Sequence, residues 1–484
     1  MTIKDLQPAL VFDIFDQITK VPRPSKKEDK IRKFLLDFAA KHGVFAKTDE
    51  IGNVVMTKPA TPGKENAPTV ILQAHMDMVC ESNDKNFDFE NNAITTIVDG
   101  EWLRADGTTL GADNGIGMAA ALAVLVDDSL VHGPVECLFT VDEETGLTGA
   151  NNLGEGMITG SILLNLDSED DAEIFVGCAG GVDTTCTFSY EPVAAPADYH
   201  YFKLDIAGLL GGHSGCDIQL GRANANKLLT RFIYALSLKH KVALCEIDGG
   251  NLRNAIPRAA HAVFGVEASA KEDVRVAFNK YLADVEKEYA GLETGLKMTL
   301  ESAERPECAI DDATATALVR ALYSAPHGVI SMSRDIEGLV ETSTNLAAIK
   351  MKEGNTILVT TSQRSSIESR KWDIARQVEA HFLMAGANVT HGDGYPGWAP
   401  NINSPIMHIA SEAYEELYGI KPAIKAIHAG LECGLFLQKY PHLDMVSFGP
   451  TLRDVHSPSE RMHIPAVERF WGQLTRTLEK VANA

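Results

Sequence analysis

Histidine and carboxylate side chains fall at five places where chemistry is feasible: His75 with Asp77, Asp113, Glu143 with Glu144, Asp167, and His456. Imidazoles and carboxylates are donors that zinc-like divalent ions accept, and a shared carboxylate can hold two ions side by side. The adjacent acids add a second capability. One can bind metal while its neighbour removes a proton from water that the metal acidifies. In His75-Met-Asp77 both side chains point to the same side of a strand, so Asp77 can hold one ring nitrogen of His75 and leave the other for an ion.

Each place also has a plainer reading. His75 and Asp77 would serve as a local hydrogen-bonded pair, Asp113 as the cap of an Ala-rich helix, and Glu143-Glu144 as a solvated turn. Asp167 would merely begin the acidic run that ends at Asp171, and His456 would be a surface residue of a Pro-flanked loop. What favours the metal-centred reading is that all five lie at the same end of the elements that carry them.

Those elements follow from patterning. Residues 69–74 are a largely apolar, β-branched-rich run ending at His75, the signature of a buried strand in a parallel sheet. Open α/β sheets place their chemistry at the carboxyl ends of such strands. Residues 135–141 lead likewise into Glu143-Glu144, residues 162–166 into Asp167, and residues 444–448 into the loop bearing His456. A glycine-rich stretch, residues 107–117, opens an Ala-rich helix through Val126 and sets Asp113 at its start.

The remainder of the first part reads as two helices, residues 3–19 and 25–42, a strand over 49–58, and a polar excursion over 81–106. From residue 185 strands alternate in polarity, at 201–207, 255–267, 342–350 and 356–361, with long amphipathic helices at 223–239, 271–292 and 366–385. That pattern predicts an inserted α+β domain. The α/β pattern resumes with helices over 405–418, 431–439 and 464–481 and a strand over 423–427. The expected organisation is an α/β catalytic domain with a mostly parallel central sheet and helices on both faces, formed by residues 1–184 and 393–484 and interrupted by a domain over residues 185–392.

Composition narrows the function. A chain of 484 residues with 45% hydrophobic and 23% charged residues is an ordinary globular one. A formal charge of -22 without a basic run excludes nucleic acid as the expected partner. The longest apolar stretch, residues 117–126, falls short of the ~20 residues of a membrane span. The start lacks the layout of a secretory signal, and the eight cysteines show no Cys-x-x-Cys pairing, which points to a reducing cytoplasm.

Other chemistries fit less well. Around Ser214 the second glycine of a nucleophile elbow is replaced by Cys216. No His-Glu-x-x-His occurs, and the glycines of 111–117 lack the Gly-Lys-Ser/Thr ending of a phosphate loop.

In order along the chain, Ala-His75-Met-Asp77, Gly-Ala-Asp113-Asn-Gly, Asp-Glu143-Glu144-Thr-Gly, Leu-Asp167-Ser-Glu and Val-His456-Ser-Pro resemble the motifs of the di-zinc dipeptidase and amidohydrolase family that includes carnosinases and aminoacylases. The likeness continues through Gly-Gly-His213-Ser-Gly, Leu-Arg-Asn254-Ala-Ile-Pro and His-Ala-Gly-Leu-Glu432-Cys-Gly. The resemblance implies a zinc-exopeptidase-like catalytic domain with an inserted lid and dimerisation domain. It also implies two divalent metal ions, zinc foremost, with manganese or cobalt as alternatives. Asp113 would bridge them, with His75 and Asp167 at one ion and Glu144 and His456 at the other. Asp77 would orient His75, and Glu143 would act as general base on a di-metal-bound water. His213 would polarise the scissile carbonyl, and Asn254, Arg364 and Glu432 would contact substrate. A cis peptide is implied at Asp113-Asn114. The implied activity is hydrolysis of dipeptides, notably Xaa-His such as β-alanyl-histidine, by a cytoplasmic homodimer joined through the lid. A related exopeptidase or an N-acyl-amino-acid deacylase on the same di-metal site and a catalytically inactive metal-binding scaffold are the alternatives.

Overall fold

A computed structural model of the chain describes residues 2–484. Two compact units are present. One takes the chain up to Cys178 together with Trp398–Ala426 and Leu431–Ala484; the other takes Ala179–Gly397 and Ile427–Gly430.

The first unit is built on an eight-stranded sheet. Its strand order is Phe45–Thr48, Val54–Lys58, Val135–Thr140, Val70–His75, Ile162–Asn165, Asp444–Ser447, Glu173–Cys178 and Ala423–Ile427. The four strands from Val135–Thr140 to Asp444–Ser447 are mutually parallel, and the neighbours on either side of them are antiparallel. Every residue of Val70–His75 and of Val135–Thr140 is buried, as runs covered on both faces require. The helix Ala112–Val126 packs against Val70–His75, and Ala9–Ile18 packs over that helix. Its small side chains permit this close approach. Pro405–Tyr418 packs on the closing helix Ile464–Asn483. It starts where Ser404 Oγ accepts the Met407 N–H at 3.2 Å with Pro405 in the first turn, a standard start signal.

Parallel strands in register bring their carboxyl ends into one row. His75 pairs with Thr140, and Gln73 and Ser447 both face Asn165. The segments that follow therefore emerge side by side.

Some expectations need correction. The strand read over residues 49–58 is a hairpin of Phe45–Thr48 and Val54–Lys58, because Asp49 accepts the N–H groups of Gly52 and Asn53 and turns the chain between them. The helix read over residues 3–19 is interrupted before Pro8, leaving Ile3–Asp5 as a short 3-10 turn and Ala9–Ile18 as the helix. The stretch over 81–106 holds two four-residue strands, Thr96–Asp99 and Trp102–Ala105. They join Arg461–His463 and Leu452–Arg453 in a small antiparallel sheet. Strands this short carry too little alternation to stand out in a sequence.

The second unit holds a nine-stranded sheet ordered Lys297–Ala303, Tyr199–Ala207, Ala260–Glu267, Ala243–Gly249, Val340–Lys352, Thr356–Ser365, Gly180–Ser189 and Asn388–His391, with Gly328–Met332 paired to Val340–Lys352. Its pairings are antiparallel. Phe202, Phe264, Phe232 and Phe278 lie in one core with Leu229 and Ile233 of the helix Ala225–Ser237. The strands Lys297–Ala303, Gly328–Met332 and Gly180–Ser189 and the helix Asp312–Ser324 were not legible in the sequence pattern.

Candidate metal centre

The row of strand ends in the first unit gathers the predicted donors. His75, 1% exposed, closes the strand Val70–His75. Its Nε2 lies 3.0 Å from Asp113 Oδ1 and 3.4 Å from Asp167 Oδ1. Asp113 stands at the start of the helix Ala112–Val126, and its other oxygen, Oδ2, lies 3.0 Å from His456 Nε2. That same imidazole nitrogen is 3.1 Å from Glu144 Oε2. Asp113 thus divides its two oxygens between two sets, His75 with Asp167 and His456 with Glu144. The Asp113-Asn114 peptide is cis.

Around this centre backbone groups hold the carboxylates. Asp77 Oδ1 accepts the Glu143 N–H at 3.0 Å and Oδ2 the Glu144 N–H at 3.3 Å, while Ser25 donates to Oδ2 at 2.8 Å. Its Oδ1 also lies 3.3 Å from His75 Nδ1. Asp77 therefore ties the Glu143-Glu144 turn to the end of the His75 strand. Glu28 supports the same turn by accepting the Asp142 N–H at 3.0 Å. Asn114 donates to Leu166 O at 3.1 Å and to the Asp167 carboxylate, holding that side chain as well. Glu28 and Ser25 carry no spacing signal that a sequence reading could have used, and Asn114 was legible only as the neighbour of Asp113 in its motif.

Electrostatics fit a cation. His456 is pushed up to about 11 by Asp113 and Glu144, against the opposing effect of burial. Burial works against a charged His75, yet Asp167, Asp113 and Asp77 raise its pKa well above the ordinary value. Burial raises Glu143, and Asp167, Glu432 and Glu144 add to it against the pull of His75. Glu144 Oε1 is buried without a hydrogen-bond partner among the described residues, and ligand atoms of His75, Asp113 and Glu144 lie within 4.8 Å of one another. Imidazole and carboxylate donors, one carboxylate shared, and an orphaned oxygen aimed at no proton donor suit divalent ions.

Glu432 is 1% exposed and accepts from Gln73 Nε2 at 2.6 Å and Thr140 Oγ at 2.9 Å, while its Oε1 has no partner among the described residues. Burial pushes it up to about 8, with Asp167 adding and His75 opposing.

The second unit contains the other three predicted site residues. His213 Nδ1 accepts backbone N–H groups from Gly215 at 3.3 Å and Cys216 at 3.2 Å. A nitrogen that accepts carries no proton, so the ring's hydrogen is on Nε2. Burial and the Arg364 guanidinium pull His213 down to about 4, with Asp217 opposing. Arg364, 6% exposed, donates to the Tyr395 hydroxyl at 2.7 Å, and its Nε has no partner among the described residues. Asn254 is exposed, and its carbonyl accepts the Ser214 N–H at 2.8 Å. A residue that the sequence reading quoted in the motif of Glu432 but gave no role joins this group: His428 is buried, lies 2.7 Å from Ser343 Oγ, and is held down to about 3 by burial, Arg364 and His213.

Residues 71–480 match the model of peptidase family M20/M25/M40. The chain belongs to that family. It is therefore a metallopeptidase, a hydrolase of peptide bonds. It is 42% identical over 480 residues to the cytosol non-specific dipeptidase of Escherichia coli (strain K12), covering 99% of each chain. The crystal structure of aminoacylhistidine dipeptidase from Vibrio alginolyticus superposes with a TM-score of 0.92 at 43% identity, covering 99% of this chain and 98% of that one. A tripeptidase from Staphylococcus aureus shares the fold at a TM-score of 0.60 and 17% identity, covering 99% of this chain and 100% of that one. Among the described residues no helix is long and apolar enough to cross a membrane.

Proposed function

We propose that the protein is a cytoplasmic metallodipeptidase that uses two divalent ions, zinc foremost, to hydrolyse short peptides including Xaa-His dipeptides such as β-alanyl-histidine. The observation that carries this reading is the division of Asp113 between the His75 and His456 sets, each completed by a further carboxylate. The names of the two similar dipeptidases support the substrate class.

When present, the ions supply the positive charge that acidifies a water and polarises the scissile carbonyl. Asp113 would be shared by both, with His75 and Asp167 at one and Glu144 and His456 at the other. Glu143 takes the proton of the attacking water and later returns it to the departing amine. Its raised affinity for a proton suits both tasks. His213, neutral with its hydrogen on Nε2, donates to the oxyanion as it forms. The Arg364 guanidinium, with a buried Nε to spare, takes the substrate carboxylate, and Asn254 takes the substrate backbone. Glu432, with an oxygen to spare, faces the substrate's free amine. We infer that two copies pair through the second unit, supported by the exposed Val329, Ile330 and Met332 on the strand Gly328–Met332.

The test is a panel of β-alanyl-histidine, leucyl dipeptides and an acetylated amino acid, assayed on chelated protein before and after metal is restored. Metal-dependent cleavage of the dipeptides is expected. Cleavage of the acetylated amino acid alone would overturn the dipeptidase reading in favour of a deacylase.

A further inference from the structure

Two buried charged side chains outside the ligand set converge on the backbone that carries Asp113. Glu460 is 2% exposed. Its carboxylate accepts four successive N–H groups at the start of the helix Ala112–Val126: Leu110 at 2.7 Å and Gly111 at 3.0 Å on Oε2, Ala112 at 2.8 Å and Asp113 at 3.3 Å on Oε1. These are donors that a helix start leaves without partners, and a carboxylate is the group best suited to them. Glu460 also belongs to the loop of His456, where its own N–H reaches back to Ser457 O at 3.0 Å. One carboxylate thus joins the segment of the bridging aspartate to the segment of its imidazole neighbour.

Arg23 approaches the same turn from elsewhere in the unit. It too is 2% exposed, and its guanidinium donates to Asp77 O at 2.7 Å, Met76 O at 3.2 Å and Gly111 O. It therefore fastens the end of the His75 strand to the turn before Asp113. The glycines of this turn leave it the room: a Cβ on Gly115 would stand 2.7 Å from Arg23 Nη2.

We propose that Glu460 and Arg23 are positioning residues that fix the direction of the Asp113 carboxylate, so that its two oxygens serve two metal ions at once. This inference rests on the reading of Asp113 as the bridging ligand. Neither side chain touches a proposed ion; both act through the backbone of Asp113 and, for Arg23, of Asp77. Outer groups that orient ligands commonly contribute tenfold to a hundredfold in metal affinity or activity.

The experiment measures zinc affinity by competition with a chelating indicator, together with kcat and KM on a dipeptide at saturating zinc, and folding by circular dichroism. Glu460→Gln places an amide N–H against backbone N–H groups. It is expected to weaken zinc binding by about tenfold to a hundredfold and to lower kcat by a similar factor, with KM within about threefold of the parent. Unchanged zinc affinity and kcat would overturn the proposal, as would a loss of kcat that matches the unfolded fraction alone. Should Glu460→Gln fail to fold, Arg23→Lys keeps the charge but loses the fork; zinc affinity weaker by about tenfold is expected, and parental affinity would overturn the proposal. Asp113→Asn separates the two levels. If that variant loses zinc while Glu460→Gln and Arg23→Lys do not, the positioning role fails and the bridging role stands. If Asp113→Asn keeps parental zinc affinity, both fail.

Discussion

In the first unit, His75 and His456 are ringed by carboxylates that favour their charged forms; in the second, His213 and His428 lie beside Arg364 and are kept neutral. The same side chain is thus prepared for two tasks. Imidazole among acids is a place for a cation, which takes over the proton's position. Imidazole beside a guanidinium is a neutral hydrogen-bond donor at working pH, able to stabilise negative charge without first losing a proton. The contrast teaches that the local charge balance, more than the residue type, assigns a histidine its role.

The comparison breaks most sharply at Glu143. Glu143→Ala is expected to keep its metal, measured by elemental analysis of the dialysed protein, and to lose about 10²- to 10⁴-fold in kcat. Loss of metal would make Glu143 a ligand and undo its assignment as base. In the second unit, His213→Ala is expected to lower kcat by about 10²- to 10³-fold while zinc affinity stays at the parental value. Weaker zinc binding in that variant would erase the distinction between a cation site and a neutral donor.

Asp77→Asn sharpens the comparison from the other side. It leaves an amide among the N–H groups of Glu143 and Glu144, so zinc affinity and kcat should both fall by about tenfold to a hundredfold, as seen by indicator competition and steady-state kinetics. The smallest effect concerns stability. His213 and His428 titrate near 4 and 3 in the folded chain, and an unfolded histidine near 6.5. Between those values the unfolded state binds more protons, so their contribution is complete above pH 6.5 and is lost as pH falls toward 3. Urea unfolding at pH 7 and pH 5 should differ by on the order of 1 kcal/mol per histidine, and His428→Asn should flatten that dependence. A variant with the parental pH dependence would show that His428 does not titrate as assigned.

The same contrast explains what was legible in the sequence. The gathering of His75, Asp113, Glu143, Glu144, Asp167 and His456 was legible because each follows a recognisable strand or starts a recognisable helix, and a row of parallel strands must align those ends. The groups that aim them were not. Glu460 meets Asp113 across 347 positions and Arg23 meets Gly111 across 88, with common residue types and no fixed spacing. Arg23 did carry one overlooked sign, a charged residue held between Pro22 and Pro24. His428 stood in a quoted motif, but its company with His213 and Arg364 was not legible, because Ile427–Gly430 belongs to the second unit although its neighbours on both sides belong to the first. Periodicity describes a segment, and tertiary company is not written in it.

The small sheet that pairs Leu452–Arg453 and Arg461–His463 with Trp102–Ala105 joins segments that are made far apart in time. Its two halves come from opposite ends of the sequence, with the whole second unit synthesised between them. A ribosome that has passed residue 440 has delivered His75, Asp113, Glu144 and Asp167 but neither His456 nor Glu460. Such a nascent chain lacks one imidazole and the carboxylate that gathers the helix start. On the proposed reading, the ligand set is complete only once the segment of His456 and Glu460 has been made.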